Sequence, residues 1–92
     1  MSPHQHHDPS IVAAIAVLTV SDTRTPETDR SGPAAMRLLE QASHRVFEYE
    51  ILPDEPDRVR RRVEAWLDAD GSDGVVLNGG TGISVRDRTF EA

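Results

Sequence analysis

The chain has 92 residues, a formal net charge of −6 and no cysteine. It is therefore expected to form one small domain, and a disulfide framework, a zinc–thiolate site and a cysteine nucleophile are excluded. The acidic balance argues against broad nucleic-acid binding, which usually shows a basic face. No apolar run is long enough to cross a membrane and no secretory signal is recognisable, so a cytoplasmic location is expected.

The amino-terminal third predicts a tail, a buried strand and a loop. Residues 1–10 are polar, contain two prolines and are expected to be a flexible tail, with a single domain occupying residues 11–92. The apolar run that follows predicts a strand near residues 13–20, buried on both faces. Ser21 and Asp22 come directly after it, where a functional loop would lie.

The middle of the chain alternates between helical spacing and strand patterns. Helices are predicted near residues 31–43 and 55–68, with Ser31 and Asp54 as their N-caps. The strand predicted near residues 46–52 alternates between apolar and acidic residues, which favours a place near a sheet edge. The arginines of the second helix are most simply a solvated surface.

A third strand is predicted near residues 74–78, which completes a β-α-β-α-β order. That order predicts a parallel sheet with right-handed crossovers and the first strand in the centre, between the second and the third. Because the carboxyl ends of parallel strands meet at one edge of the sheet, we expect Asp22, Asp54 and Asp87 to gather at one rim.

A glycine-rich loop follows the third strand. Its residues are Gly79, Gly80, Thr81 and Gly82. Glycines permit positive φ and a close approach of the backbone to a ligand, and successive N–H groups can form a nest for an anion. Arg86 and Asp87 follow as a candidate phosphate contact and a candidate metal ligand. The alternative is a glycine-rich turn followed by solvated charges.

The chemistry available to this set of residues is narrow. The loop matches neither the P-loop nor the dinucleotide-binding spacing. His44 is the only histidine outside the tail, so there is no Ser-His-Asp set; a charge partner for a helix C-terminus is its expected role. Clustered carboxylates beside an anion loop suit Mg²⁺-dependent phosphoryl or nucleotidyl transfer. The alternative for Asp22 and Asp54 is that each only caps a turn or helix.

Five segments, in this order, resemble the molybdopterin adenylyltransferase family of molybdenum cofactor biosynthesis, which is related to the amino-terminal domain of gephyrin. The segments are Thr19-Val20-Ser21-Asp22-Thr23-Arg24, Asp29-Arg30-Ser31-Gly32, Ile51-Leu52-Pro53-Asp54-Glu55, Gly79-Gly80-Thr81-Gly82 and Arg86-Asp87-Arg88-Thr89. The resemblance implies a three-layer α/β sandwich around a mostly parallel sheet, assembled as a trimer or larger. It also implies transfer of AMP from Mg-ATP to the terminal phosphate of molybdopterin, and a molybdenum-insertion enzyme as a partner that takes the product.

The resemblance also implies roles for individual residues. Asp54 and Asp87 match two catalytic carboxylates, which are assigned to Mg²⁺ here. The remaining matched residues are implied to bind the ligands: Ser21, Asp22, Asn78, Gly79, Gly80, Thr81, Gly82 and Arg86. Asn78 stands where the family often has a hydroxyl residue, and Phe90 stands where it usually has proline.

The family continues beyond the position that matches Ala92, so this chain corresponds to the amino-terminal part of the family domain. We therefore expect the third strand to have an open edge. Two other functions remain: a non-catalytic molybdopterin-binding or assembly subunit, and a nucleotide pyrophosphatase like that of competence-associated proteins. The glycine loop and residues 19–24 fit the pyrophosphatase less well.

Overall fold

The computed structural model describes residues 12–79 and 82–87, and for Asp87 the backbone only. The predicted tail, Gly80, Thr81 and residues 88–92 lie outside the described residues. The elements are, in order, β1 (Ala14–Val20), α1 (Ser31–Gln41), β2 (Arg45–Leu52), α2 (Pro56–Asp68), β3 (Gly74–Gly79) and β4 (Gly82–Asp87). Neither helix is long and apolar enough to span a membrane, in the part of the chain that the structure describes.

The four strands form one sheet in the order β2-β1-β3-β4. The first three strands are parallel, with β1 between β2 and β3, so the predicted order is confirmed. Val20 lies opposite both Leu52 and Gly79. The three parallel strands therefore end level with one another, and the loops that follow them share one rim.

The expectation of an open edge at β3 is wrong. Residues Gly82–Asp87 turn back as β4 and pair with β3 in antiparallel register. β4 satisfies the outward hydrogen-bonding groups of β3, because an unpaired edge next to water or another chain is the less stable arrangement. The glycine segment is consequently the turn of a β-hairpin.

The helices cover opposite faces of the sheet and produce the three expected layers. Side chains alternate between the faces of a strand, and β1 packs Leu18 against the α2 face and Val17 against the α1 face. On the α2 face, the fully enclosed Leu18 and Val75 belong to one buried apolar cluster with Trp66 of that helix. At about 2 kcal/mol for each large apolar side chain buried, these contacts fix the sheet between its helices.

Both predicted N-caps are displaced by one residue from those in the structure. Arg30 and Glu55 are the N-caps, and neither makes a side-chain capping hydrogen bond. Pro56 occupies the first helical turn of α2 as expected, since its missing N–H costs nothing there. His44 follows the end of α1, and its Nδ1 accepts the backbone N–H of Ala13 at 3.1 Å.

Candidate functional site

The first loop of the rim, which follows β1, is held by short hydrogen bonds. The Ser21 N–H donates to the Leu52 carbonyl at 2.8 Å, which ties the end of β1 to the end of β2. The Ser21 hydroxyl in turn accepts the N–H groups of Thr23 and Arg24 at 3.2 and 3.1 Å. Serine commonly closes a turn in this way. Ser21 therefore shapes the loop after β1.

Asp22 and Asp54 meet at the rim, as the topology predicts. Asp22 Oδ1 accepts the backbone N–H of Asp54 at 2.9 Å, across 32 positions of sequence. Both residues are exposed. This hydrogen bond holds the loop after β1 against the loop after β2.

Asp54 lines a cavity of about 330 Å³ that opens between the rim and α2. The cavity also brings together three other predicted site residues, Asn78, Gly79 and Gly82. Its remaining lining residues are Val20, Pro56, Val59, Leu77 and Ser84. A cavity of this size with an apolar wall and a few polar groups is typical of a small-molecule site.

A second cavity of about 430 Å³ adjoins the first and shares Pro56, Val59 and Leu77 with it. Arg86 of β4 and Arg60 of α2 line this second cavity, together with Glu64. Arg86 lies opposite Val75, on the α2 face of the sheet. The two cavities form a continuous surface with an acidic group near one end and arginines near the other.

The glycine turn closes the rim of the first cavity. Gly79 pairs with Gly82 at the start of the hairpin, and Gly82 has φ +125°, a conformation that residues with a Cβ rarely adopt. A Cβ at Gly79 would lie 3.3 Å from the Val20 carbonyl oxygen, so β1 and the turn approach closely here. Gly80 and Thr81, also predicted to bind the ligand, lie outside the described residues.

Asp87 does not join Asp54 at the rim, and the expected gathering of three carboxylates is wrong on this point. The antiparallel register places the Asp87 backbone opposite Gly74, at the first residue of β3. With about 3.3 Å for each residue of a strand, Asp87 is about 17 Å along the hairpin from the glycine turn. The sequence prediction assumed that the chain continues as a loop after Gly82, whereas β4 carries residue 87 to the other end of the sheet.

A buried carboxylate, Asp29, organises the α1 side of the rim. Its side chain is fully enclosed, and its Oδ2 accepts the hydroxyl of Thr19 at 2.7 Å and the phenol of Tyr49 at 2.5 Å. Its Oδ1 accepts the Ser31 hydroxyl at 3.4 Å and lies 3.7 Å from an Arg24 guanidinium nitrogen. Strands β1 and β2, the first rim loop and α1 are joined at this one group.

The environment of Asp29 keeps it ionised. Burial raises the pKa of its carboxyl, but hydrogen bonds from Tyr49, Thr19 and the Gly32 N–H, with the charge of Arg24, outweigh burial and hold the pKa below its usual value. Burial and the hydrogen bond to this carboxylate raise the pKa of Tyr49 to about 12. The opposite shifts follow from one arrangement, a neutral phenol donating to a charged carboxylate.

A Mg²⁺ ion would find only part of its ligand set at the rim. Within residues 12–79 and 82–87, no three His, Asp or Glu side chains lie close enough together to hold a metal ion. Mg²⁺ commonly uses one or two protein carboxylates and completes its octahedron with water and substrate phosphates. The exposed Asp54 carboxylate fits a site of that kind, completed by the phosphates of a nucleotide.

The sequence analysis did not predict that Asp29, Thr19 and Tyr49 form a network. One signal was available: Thr19 is a lone hydroxyl in an apolar run predicted to be buried on both faces, and a buried polar group requires a partner. Which partner it finds depends on chain segments 10 and 59 positions away, Asp29 and Asn78. Ser84 and Val59 were also missed as cavity residues, because they face the site only once β4 and α2 are in place.

The chain matches one family model and is similar in sequence to proteins that share one name. Residues 16–92 match the family model described as probable molybdopterin binding domain. Molybdenum cofactor biosynthesis protein B of Bacillus subtilis (strain 168) is 49% identical over 89 residues, 97% of this chain and 52% of that protein. The protein of the same name from Halalkalibacterium halodurans is 43% identical over 94 residues, 100% of this chain and 55% of the relative.

A solved structure shares the fold as well as the sequence. A crystal structure of molybdenum cofactor biosynthesis protein B superposes with a TM-score of 0.73 at 42% identity and covers 88% of this chain and 50% of that one. The chain thus spans about half the length of the relatives that it matches.

Proposed function

Because this chain belongs to the family of probable molybdopterin-binding domains, we propose that it acts in molybdenum cofactor biosynthesis and transfers AMP from Mg-ATP to the terminal phosphate of molybdopterin. The observation that carries the proposal is the rim cavity, which collects Asp54, Asn78, Gly79 and Gly82 from separate segments. The relatives named molybdenum cofactor biosynthesis protein B support the biosynthetic role.

The proposed reaction needs positioning and charge stabilisation more than a protein nucleophile. An oxygen of the terminal molybdopterin phosphate bonds to the α-phosphorus of ATP, and pyrophosphate leaves with the bonding electron pair. Transfer of this kind depends on alignment of the two anions and on neutralising the charge that develops. Two adjoining cavities, of about 330 and 430 Å³, offer room for two ligands side by side.

Each rim residue has a role that its position supports. The glycine turn lets phosphates approach the backbone closely, since no Cβ stands in the way at Gly79 or Gly82. The Asp54 carboxylate would hold Mg²⁺, which supplies a positive charge between the two anionic substrates. Asp22 fixes the loop of Asp54 through its backbone N–H. Arg86, on the second cavity, is available to a phosphate or pyrophosphate group.

A second candidate function is a molybdopterin-binding or assembly subunit without catalysis. One observation favours it: the Asp87 backbone lies at the far end of the sheet from Asp54. The same cavity would then retain the pterin and deliver it to another enzyme.

The surface supports a proposal about assembly. Ile83 and Val85 of β4 are 63% and 57% exposed, and Leu38 of α1 is 67% exposed. Exposed apolar side chains of this kind are candidates for contacts between subunits. We accordingly include a homo-oligomer, a trimer or larger, and a molybdenum-insertion enzyme among the proposed partners, in the cytoplasm where ATP is supplied. Sedimentation velocity of the chain measures the oligomer directly, and a monomer at all concentrations would contradict that part.

Single-turnover adenylylation of molybdopterin tests the catalytic proposal. Asp54→Asn should keep its fold, since the shape is nearly unchanged, and lose about a hundredfold or more in rate, as for removal of a group that stabilises developing charge. Asp87→Asn is the matched control. Because the Asp87 backbone lies away from the rim, the adenylylation rate of this variant should fall far less than that of Asp54→Asn.

Three outcomes of this assay separate the hypotheses. An equal, large loss in both variants would mean that the two carboxylates act together, contrary to the structure. No adenylylation by the native chain, together with retained molybdopterin binding, would favour the binding subunit. Near-native turnover of a folded Asp54→Asn would remove the proposed role of Asp54.

A further inference from the structure

The arginines of α2 divide between two sides of the helix. Arg60 lines the second cavity described above, and its NH2 nitrogen lies 3.2 Å from Asp57 Oδ1. A separate cavity of about 260 Å³, here called the arginine cavity, is lined by Leu52, Arg58, Arg61 and Arg62. It shares no lining residue with either of the other two cavities. The arginine cavity is therefore a distinct site, on the side of α2 that faces β2.

The helical spacing brings three positive charges together at this cavity. Arg58 precedes Arg61 and Arg62 by three and four positions, so their Cβ atoms lie about 5–6 Å apart on one face. Like charges at this spacing destabilise a helix. The side chains of Arg58 and Arg61 have no hydrogen-bond or ion-pair partner within residues 12–79 and 82–87. An anion in the cavity would supply the negative charge that this cluster lacks.

Arg62 is held in place by two neighbours. Its Nε lies 3.0 Å from Glu50 Oε1 of β2, and its guanidinium carbon lies 5.6 Å from the centre of the Trp66 ring, within the range of a cation–π contact. Trp66 is itself only 6% exposed, so the ring is a fixed support. A side chain that is already ordered loses less entropy when it binds a ligand. Arg62 is thus prepared for an anion, and the single Glu50 carboxylate leaves the three arginines with an excess of positive charge.

The size and chemistry of the arginine cavity favour a compact oxyanion. Planar guanidinium groups donate pairs of N–H groups that match the oxygens of a phosphate. Pockets for drug-sized ligands have volumes of about 300–1,000 Å³, so a cavity of about 260 Å³ suits a smaller group. Leu52, which is 3% exposed, supplies an apolar wall. An extended acidic peptide would leave most of its length outside such a cavity, whereas one or two phosphate groups would lie within it.

We propose that Arg58, Arg61 and Arg62 form a second anion site, which binds a compact phosphate group such as inorganic pyrophosphate or the phosphates of a nucleotide. Arg62 supplies an ordered guanidinium, and Arg58 and Arg61 supply the two charges without a partner. Glu50 acts as a positioning residue through Arg62. The proposal does not depend on adenylyl transfer at the rim, because none of these residues lines the rim cavity.

Titration of the ¹⁵N-labelled chain with inorganic pyrophosphate, followed by NMR, tests the site directly. The Nε–H resonances of the three arginines, assigned by single substitutions, should shift together along one saturable curve. The fluorescence of Trp66, the only tryptophan, should follow the same curve because Arg62 lies over its ring. The backbone amides of Gly79 and Gly82 report binding at the rim separately. Two curves with different midpoints would therefore distinguish the two sites.

Single substitutions separate a specific site from a general effect of charge. Arg58→Gln and Arg61→Gln should each lower the affinity for pyrophosphate, measured by Trp66 fluorescence, about tenfold, the lower end of the loss expected for a hydrogen bond to a charged group. Both side chains are exposed, so the variants should fold. Arg37→Gln is the matched control: it removes the same charge from an exposed position of α1, on the opposite face of the sheet, and the affinity should stay native. The Gly82 amide curve should be unchanged in all three variants.

Four outcomes would overturn the second anion site. The first is an absence of shifts at the three arginines at millimolar pyrophosphate, even if the Gly79 and Gly82 amides shift; the proposed function would then stand without this site. The second is an equal shift at Arg37, which indicates screening alone. The third is native affinity in both Arg58→Gln and Arg61→Gln. The fourth is tighter binding of a polyglutamate peptide than of pyrophosphate at the same resonances, which would identify a surface for an acidic protein segment instead.

Discussion

Gly32, in the first turn of α1, is packed against the Asp29 network, and substitution by alanine should destabilise the protein. A Cβ at this position would lie 2.7 Å from Tyr49 Cε1 and 2.8 Å from Thr19 Oγ1, and it would also meet Asp29 Oδ2. Real Cβ atoms do not approach other atoms so closely, so at least one of these groups must move. All three belong to the same hydrogen-bonded cluster.

The size of the effect follows from two opposing contributions. Alanine is favoured over glycine inside a helix by about 0.5–1 kcal/mol. Overpacking a tight site costs about 1–3 kcal/mol, and weakening a hydrogen bond to a charged group adds about 1.5–3 kcal/mol. We therefore expect Gly32→Ala to lower the free energy of unfolding by at least about 2 kcal/mol, which corresponds to a Tm lower by roughly 10 °C or more in a domain of this size.

Urea unfolding followed by the fluorescence of Trp66, with circular dichroism as a second probe, measures this change. Gly71→Ala is the control, because Gly71 has φ +82° and no atom within 4 Å of an added Cβ. Gly71→Ala should lower the free energy of unfolding by about 1–2 kcal/mol, because alanine is strained in this backbone conformation. Ultraviolet titration of Tyr49, the only tyrosine, should show a pKa nearer its usual value in Gly32→Ala and unchanged in Gly71→Ala. A Gly32→Ala protein as stable as the native one, with an unshifted Tyr49, would refute the reasoning.

Two further predictions concern stability. The pKa of Tyr49 rises from its usual 10.0 to about 12 in the folded protein. The neutral phenol therefore stabilises the folded state fully below pH 10, and this stabilisation, about 3 kcal/mol at most, is lost as pH rises through 12. Urea unfolding between pH 9 and 12 should show the fall in the free energy of unfolding, and Tyr49→Phe should remove this part of the pH dependence. Ser43 has φ 71° at the turn after α1, so Ser43→Gly should raise the free energy of unfolding by about 0.5–1 kcal/mol. A lower Tm for Ser43→Gly in thermal melts would contradict this.

The sequence by itself determined the three parallel strands, both helices and the order of the sheet. These features depend on local patterns: a continuous apolar run predicts a strand buried on both faces, and a 3.6-residue spacing predicts a helix with one apolar side. Residues 14–20 are mostly enclosed for that reason. The meeting of Asp22 and Asp54 also followed, because parallel strands place their carboxyl ends at one edge.

The hairpin of β3 and β4 was decided by the tertiary structure, although the sequence carried a weak signal for it. Ile83 and Val85 alternate with Ser84 and Arg86 after a glycine turn, which is a strand period following a hairpin signal. The run is short, and all four side chains are exposed, so burial does not mark it as a strand. Hydrogen bonds to the edge of β3 hold this run in the strand conformation, and that pairing places the Asp87 backbone away from the rim.

The direction of the hydrogen bonds at Asp29 also came only from the folded chain. The sequence supplied Thr19, Asp29, Tyr49 and Asn78 as separate polar residues, with no indication that one carboxylate would orient the others. Each can donate or accept in more than one way, or can face solvent. Packing them between α1 and the sheet excludes water and leaves a single arrangement in which the ionised Asp29 is satisfied, because an unpaired buried charge would cost far more than the entropy of ordering its neighbours.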